Sequence, residues 1–384
     1  MSNRLRALVI GAGWAGEGHT KALQWCGVEV VAIWARQPEV VQAVAARLGV
    51  AEAVTDWREA LERLRPDIVT LATPAPLRRE VVEVAAALGC HLLCEKPLAL
   101  TAGDAEAMER SVEAAGVKHA YAATQRYGPE IAWLAELVRD GTISELLEVV
   151  GVFRSPPGSI STMRPWTWMA DVQAGGGRLF NGFTHDLAIL ATILGGPPLR
   201  VMGRVQARRH EAFVAPGIHD IRQAGAVLKA VTPEQAATLP RRTVHSEEGF
   251  SAILEFAGPA GALPVTMTLG QGVALPGEVD GWRLYGRTGT LLARREGGRF
   301  SYTVWRIRPG DQDAEPLPLP ERLQAALPQV GDDEQNKWCA LFQDFVADIR
   351  GEPHQPYLTF RDGWRALVAI DAIRAGLGWT LLPA

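Results

Sequence analysis

A chain of 384 residues, 47% hydrophobic and 21% charged, is long enough for two domains with separate cores. Its 43 acidic residues against 39 Lys and Arg give a net charge of -4, so no basic field is available to hold a phosphate backbone, and nucleic acid is not expected as a partner. No run approaches the roughly 20 apolar residues of a membrane span, and the first apolar segment is too short for a secretory signal, so a cytoplasmic location is expected. The four cysteines (Cys26, Cys90, Cys94, Cys339) form no CxxC pair and read as buried free thiols, with no metal site.

In chain order, Ala7 to Ile10 is a short apolar strand that meets Gly11-Ala12-Gly13-Trp14-Ala15-Gly16, after which helical spacing begins. Strand, glycine turn and helix in that order form a dinucleotide-binding fingerprint. Gly11 turns the chain, Gly13 leaves room for a pyrophosphate, and Gly16 lets helix and strand approach. The free N-H groups and macrodipole of the helix N-terminus favour the phosphates. Trp14 reads as a packing residue over them.

Val28 to Trp34 is a second strand, and Val40 to Leu48 is a helix closed by Gly49. Thr55 or Asp56 caps a helix running through Leu64, and Ile68 to Ala72 is a strand ended by Thr73-Pro74. Helix Arg78 to Leu88, strand His91 to Cys94, helix Thr101 to Ala115 and strand Lys118 to Ala123 follow. This alternation predicts an α/β, doubly wound parallel sheet over residues 1–124. Ligands bind such sheets beyond the carboxyl ends of the strands. Gly11 to Gly16, Ala35-Arg36, Thr73-Pro74, Glu95-Lys96-Pro97 and Gln125-Arg126 therefore fall in one crevice. The pairs Arg78-Arg79, Arg208-Arg209 and Arg241-Arg242 read as solvated surface.

Residues 125–384 follow a different pattern. After the helix Pro129 to Asp140, long β-rich runs appear at Leu146 to Phe153, Leu199 to Arg208, Gly249 to Phe256, Leu263 to Gly270, Gly281 to Tyr285, Gly289 to Ala293 and Phe300 to Ile307. Helical stretches occur near His185 to Leu194, Asn336 to Arg350 and Phe360 to Ala375. The expectation is an α+β domain with a large, open, mixed or antiparallel sheet, whose free face makes a homodimer or homotetramer. Residues 211–242, with Pro216, Pro233 and Pro240, read as an irregular insertion.

Taken together, these motifs resemble the glucose-fructose oxidoreductase, inositol dehydrogenase and rhizopine-catabolism (Gfo/Idh/MocA) family. The resemblance rests on GAGWAG with His19 after it, Ala72-Thr73-Pro74, Cys94-Glu95-Lys96-Pro97-Leu98-Ala99, and Gly175-Gly176-Gly177 followed by His185. It implies an NAD(P)-dependent oxidoreductase acting on a sugar, cyclitol or related polyhydroxy compound. Lys96 is then expected beside the nicotinamide and the reacting carbinol, and His185 at the substrate oxygen. A lysine whose charge is disfavoured, or a histidine, suits that proton transfer.

The chain departs from the family pattern twice. Members commonly carry an aspartate four residues before the histidine, but this chain has Asn181, which can hydrogen-bond a hydroxyl but cannot take a proton. The acidic residue expected about 20 residues after the glycines is replaced by Ala35 and Arg36. A guanidinium there pairs with a 2'-phosphate, so NADP(H) is expected over NAD(H). Arg126, Arg154, Arg164, Trp166 and Trp168 are candidates for holding substrate hydroxyls, an acidic group or a sugar face. A non-catalytic sensor that binds dinucleotide and sugar is the alternative, supported by Asn181 alone.

Overall fold

The computed structural model describes residues 4–155, 165–207, 211–218, 221–259, 261–271, 279–296 and 300–384. Two compact units emerge, Met1–Tyr127 with Ala325–Leu367, and Gly128–Gln324 with Val368–Ala384.

The first unit runs β1 (Arg6–Ile10), α1 (Trp14–Trp25), β2 (Glu29–Trp34), α2 (Pro38–Leu48), β3 (Glu52–Val54), α3 (Trp57–Leu64), β4 (Ile68–Leu71), α4 (Arg78–Ala87), β5 (His91–Glu95), α5 (Ala102–Ala115) and β6 (His119–Ala122). The strands form a six-stranded sheet in the order β3-β2-β1-β4-β5-β6, parallel throughout. Helices cover both faces of a parallel sheet, so its strands are continuously apolar, and β4 is buried at every residue. Gly49 closes α2 in the left-handed conformation, φ 67°. Asp56 opens α3 by accepting the amides of Arg58 and Glu59 at 3.0 Å. The sequence did not mark β3, an edge strand of three half-buried residues with no apolar alternation.

The second unit contains α6 (Pro129–Arg139), β7 (Leu146–Ser155), α7 (Thr184–Leu194), β8 (Pro198–Gln206), β9 (Glu211–Phe213), α8 (Ile221–Ala230), α9 (Pro233–Thr238), β10 (Arg241–Thr243), β11 (Gly249–Gly258), β12 (Gly261–Gln271), β13 (Gly281–Gly286), β14 (Gly289–Arg295), β15 (Tyr302–Ile307) and β16 (Glu315–Leu317). The chain ends through α10 (Glu321–Ala326), α11 (Asp333–Arg350), α12 (Phe360–Ala375) and β17 (Thr380–Leu381). Nine strands form one mixed sheet in the order β16-β15-β14-β13-β7-β12-β11-β8-β17, antiparallel except for the β12–β7 pair. Burial alternates along β11, as in a sheet with one packed face.

Two expectations are corrected here. The segment 211–242 is not irregular, because its described residues hold α8, α9 and a two-stranded antiparallel sheet of β9 and β10. Of its prolines, Pro233 begins a helix rather than breaking one. Pro233 occupies the first turn of α9, where Thr232 and Gln235 form a reciprocal capping box. The chain also does not divide once at 124/125. Residues 325–367 belong with the first unit, where Trp338, Leu341, Phe342, Phe345 and Val346 of α11 share a core with Ala22, Leu23 and Val30. Periodicity marks an apolar stripe on a helix but not the surface that the stripe covers.

Candidate cofactor and active site

The glycine turn sits at the carboxyl end of β1. Gly11 has φ 127°, and a Cβ there would lie 2.8 Å from the Ala72 carbonyl oxygen; at Gly16 it would lie 1.9 Å from that of Gly11. These two glycines are required by the fold itself. At Gly13, by contrast, a Cβ would meet nothing within 4 Å, so the space it leaves faces outward. The first bond of α1 runs from the Glu17 amide to the Gly13 oxygen at 2.9 Å, and the amides of Trp14, Ala15 and Gly16 have no helical acceptor. An open cradle with free N-H groups at a helix N-terminus fits a pyrophosphate. Trp14 is 42% exposed and packs at 4.8 Å on Trp338 of α11.

At the carboxyl end of β5, the Glu95 carboxylate ties three elements together. Its Oε1 accepts the Trp338 indole N-H at 2.9 Å and lies 3.3 Å from His19 Nε2, and its Oε2 accepts the Lys96 amide at 3.1 Å. Burial works against the charged form. The His19 hydrogen bond and charge, Lys96 and the indole outweigh it, holding the carboxyl below its ordinary range. The next peptide, Lys96-Pro97, is cis.

Arg78 was expected at the surface, but it is 4% exposed. It donates Nε–H to the Thr73 oxygen at 2.9 Å and Nη2–H to the same oxygen at 2.5 Å, while Nη1 donates to the Glu95 and Pro97 carbonyls. Its neighbour Arg79 is exposed, paired with Glu83 and Asp104. No sequence signal separates the two, because both arginines stand in the first turn of α4.

Glu95 ends β5, and Thr73, Pro74, Lys96, Gln125 and Arg126 follow parallel strands, so the first unit brings them to the carboxyl ends of its strands with the glycine turn. Thr73 Oγ1 is buried without a partner, which leaves a polar group for a ligand. Ala35 is half-buried after β2, and Arg36 is exposed with no ion pair among the described residues. Gln125 is buried, donating to Glu334 and accepting Lys337 Nζ at 2.8 Å; Arg126 reaches the Pro356 oxygen at 3.2 Å. Burial pushes the Glu334 carboxyl up. Sequence reading missed Glu334, Lys337 and Trp338, which α11 returns to these strand ends from two hundred residues away.

In the second unit His185 is buried in the first turn of α7, its ring 5.1 Å from that of Phe300. Asn181 Nδ2 donates to the Gly175 and Gly177 carbonyls, each at 3.0 Å, which binds the glycine cluster to the turn before α7. Glu247, also missed, is buried and accepts the Leu179 amide at 2.8 Å. It pairs with Arg374 at 3.3 Å, whose guanidinium lies 3.9 Å over the Phe180 ring. The two candidate tryptophans part company. Trp166 donates to the Thr243 oxygen at 3.1 Å and is stacked by Arg242 at 3.6 Å, so it serves packing, whereas Trp168 is 41% exposed. Arg154 has its amide on Asp280 at 3.1 Å and its carbonyl on Arg295 at 2.6 Å. Arg164 and the Arg208-Arg209 pair lie outside the described residues. Among the described residues no helix is long and apolar enough to cross a membrane, and no cluster of His, Cys, Asp or Glu could hold a metal ion.

Residues 5–122 match the model of an oxidoreductase family with an NAD-binding Rossmann fold, and residues 131–292 match the GFO/IDH/MocA C-terminal domain. Levoglucosan dehydrogenase of Pseudarthrobacter phenanthrenivorans is 28% identical over 197 residues, 49% of this chain and 50% of the relative. D-apiose dehydrogenase of Paraburkholderia graminis is 34% identical over 141 residues, 36% and 38% of the two chains. Inositol 2-dehydrogenase of an Arthrobacter species is 32% identical over 169 residues, 42% and 50%. The chain thus spans half or less of the length of these relatives. A structure of levoglucosan dehydrogenase with NADH and levoglucosan superposes with TM-score 0.77 at 20% identity over 100% of both chains. An NAD-binding oxidoreductase from Klebsiella pneumoniae gives 0.76 at 22% over 99% of both. The chain belongs to the GFO/IDH/MocA family of NAD-binding oxidoreductases.

Proposed function

We propose that the protein is an NAD(P)-dependent dehydrogenase or reductase acting on a secondary alcohol or ketone of a sugar, cyclitol or related polyhydroxy compound. The observation that carries this reading is the open cradle at Gly13, at the carboxyl ends of the same strands as a Lys96 whose backbone is fixed by Glu95. Named dehydrogenases of levoglucosan, D-apiose and inositol among the relatives support the substrate class.

Gly11, Gly13, Trp14, Ala15 and Gly16 would seat the pyrophosphate, with Ala35 and Arg36 at the adenosine end. Thr73, Pro74, Glu95, Lys96, Gln125 and Arg126 would lie along the nicotinamide side. The bound nicotinamide supplies the hydride acceptor or donor. Lys96 Nζ, in the first unit, would take the carbinol proton during oxidation and return it during reduction. In the second unit His185 is the candidate for hydrogen-bonding a substrate oxygen. Arg126, Arg154 and Trp168 are the substrate-facing candidates. The exposed Arg36 guanidinium, without an ion pair among the described residues, supports preference for a 2'-phosphate, hence for NADP(H). A homodimer or homotetramer through the nine-stranded sheet is supported by exposed Leu147, Ile253 and Tyr285.

The sensor reading rests on Asn181 alone, and the amide has a structural use independent of turnover. The test is fluorescence titration with NADPH and NADH, followed by nicotinamide absorbance against a panel of sugars and inositols. Cofactor-dependent turnover of a polyol or keto-sugar supports the reading. Failure to bind either dinucleotide would overturn it.

A further inference from the structure

A guanidinium buried as deeply as that of Arg78 normally faces a carboxylate. Among the described residues Arg78 has none, and its three donor nitrogens go to backbone carbonyls. The acceptors are Thr73, where the chain leaves β4, and Glu95 and Pro97, which flank Lys96 where it leaves β5. Carbonyls at adjacent strand ends could be satisfied by neutral donors or by water. A cation in the first turn of α4 also opposes the helix dipole. Stability alone therefore gives no reason for arginine. What it offers is a planar fork that spans two strand ends at once, which a lysine or an amide cannot reproduce.

We propose that Arg78 is the positioning residue of Lys96. Its Nη1 grips the carbonyl before Lys96 and the carbonyl after it, while Glu95 Oε2 holds the Lys96 amide at 3.1 Å. The lysine thus leaves the sheet from a turn fixed on three sides. Through the Thr73 oxygen the same guanidinium locks that turn to the Thr73-Pro74 strand end, so both walls of the nicotinamide side move as one body. Arg78 touches neither substrate nor cofactor in this role and acts through Lys96. The inference rests on the assignment of Lys96 under Proposed function.

The test compares Arg78→Gln, Arg78→Ala, Arg78→Lys and Lys96→Ala with the wild-type protein. NADPH and NADH binding is read by fluorescence, kcat and KM on whichever panel sugar or inositol turns over, and the Lys96 backbone by the crystal structure of Arg78→Gln. The expected result is unchanged dinucleotide binding and KM, a kcat lowered about 10²-fold in Arg78→Gln, and partial recovery of Arg78→Ala by added guanidine. The Lys96 Cα should move by more than about 0.5 Å, a reading that needs no substrate. An unmoved Lys96, or a wild-type kcat in Arg78→Gln while Lys96→Ala is inactive, overturns the inference and leaves the function standing. Loss of cofactor binding together with thermal stability, without guanidine rescue, makes Arg78 a scaffold residue and also overturns it. Full activity in Lys96→Ala overturns the assignment of Lys96 and this inference with it.

Discussion

The turn that carries Lys96 and the turn that leads to His185 are held by buried charges of opposite sign. At the first, the Arg78 cation collects carbonyls where two parallel strands end. At the second, the Glu247 carboxylate accepts the Leu179 amide near the start of a helix and is balanced by Arg374. The sign follows from what each backbone terminus leaves unpaired, carbonyl oxygens beyond a strand end and N-H groups at a helix start. The balance differs too. Glu247 is paired with Arg374, whereas among the described residues Arg78 meets only backbone carbonyls.

Four substitutions probe the two turns and the cofactor site. The largest effect is expected from Lys96→Ala, which should lower kcat by about 10²- to 10⁴-fold with dinucleotide binding retained, as single-turnover absorbance would show. Glu247→Ala leaves the partly buried Arg374 without its partner and the Leu179 amide without its acceptor. A loss of about 1–3 kcal/mol in urea unfolding is expected, with little change in NADPH binding. Asn181→Asp places a carboxylate against the Gly175 and Gly177 carbonyls, and should destabilise the protein by about 1–2 kcal/mol without raising turnover. A gain in kcat would instead show that the turn tolerates the family's aspartate. Arg36→Ser should shift the NADPH-to-NADH affinity ratio towards NADH by about tenfold, the worth of one charge-assisted hydrogen bond.

The smallest expected effect concerns acid. Because the Glu95 carboxyl lies below its ordinary value of 4.5 in the folded protein, its stabilisation is fully present above that value and is lost as the pH falls through the folded value. Stability curves of wild type and Glu95→Gln should therefore converge as the pH drops below 4.5. Curves that stay parallel there would count against an ionised, hydrogen-bonded Glu95.

How much was legible in the sequence can be judged residue by residue. The glycine turn was readable because one structural unit of strand, turn and helix constrains its own neighbours. Gly11 and Gly16 are occupied by backbone only a few residues or one strand away. Lys96 was readable from a local block. Trp338 was not, although it anchors Glu95, because its helix lies more than 240 residues downstream and nothing in its periodicity says which surface it covers. Nor were the fates of Trp166 and Trp168, which share one short segment but end up packed and exposed respectively.

By itself the sequence determined the parallel sheet of the first unit, the strand-rich second half and the phosphate turn, since hydrophobic period and glycine placement act over a few residues. Only the tertiary structure decided that Arg78 is buried, that Asn181 serves the backbone, and that α11 completes the first unit. Each of those depends on partners distant in the chain, and the donors and acceptors that remain unpaired are known only once the strands are side by side.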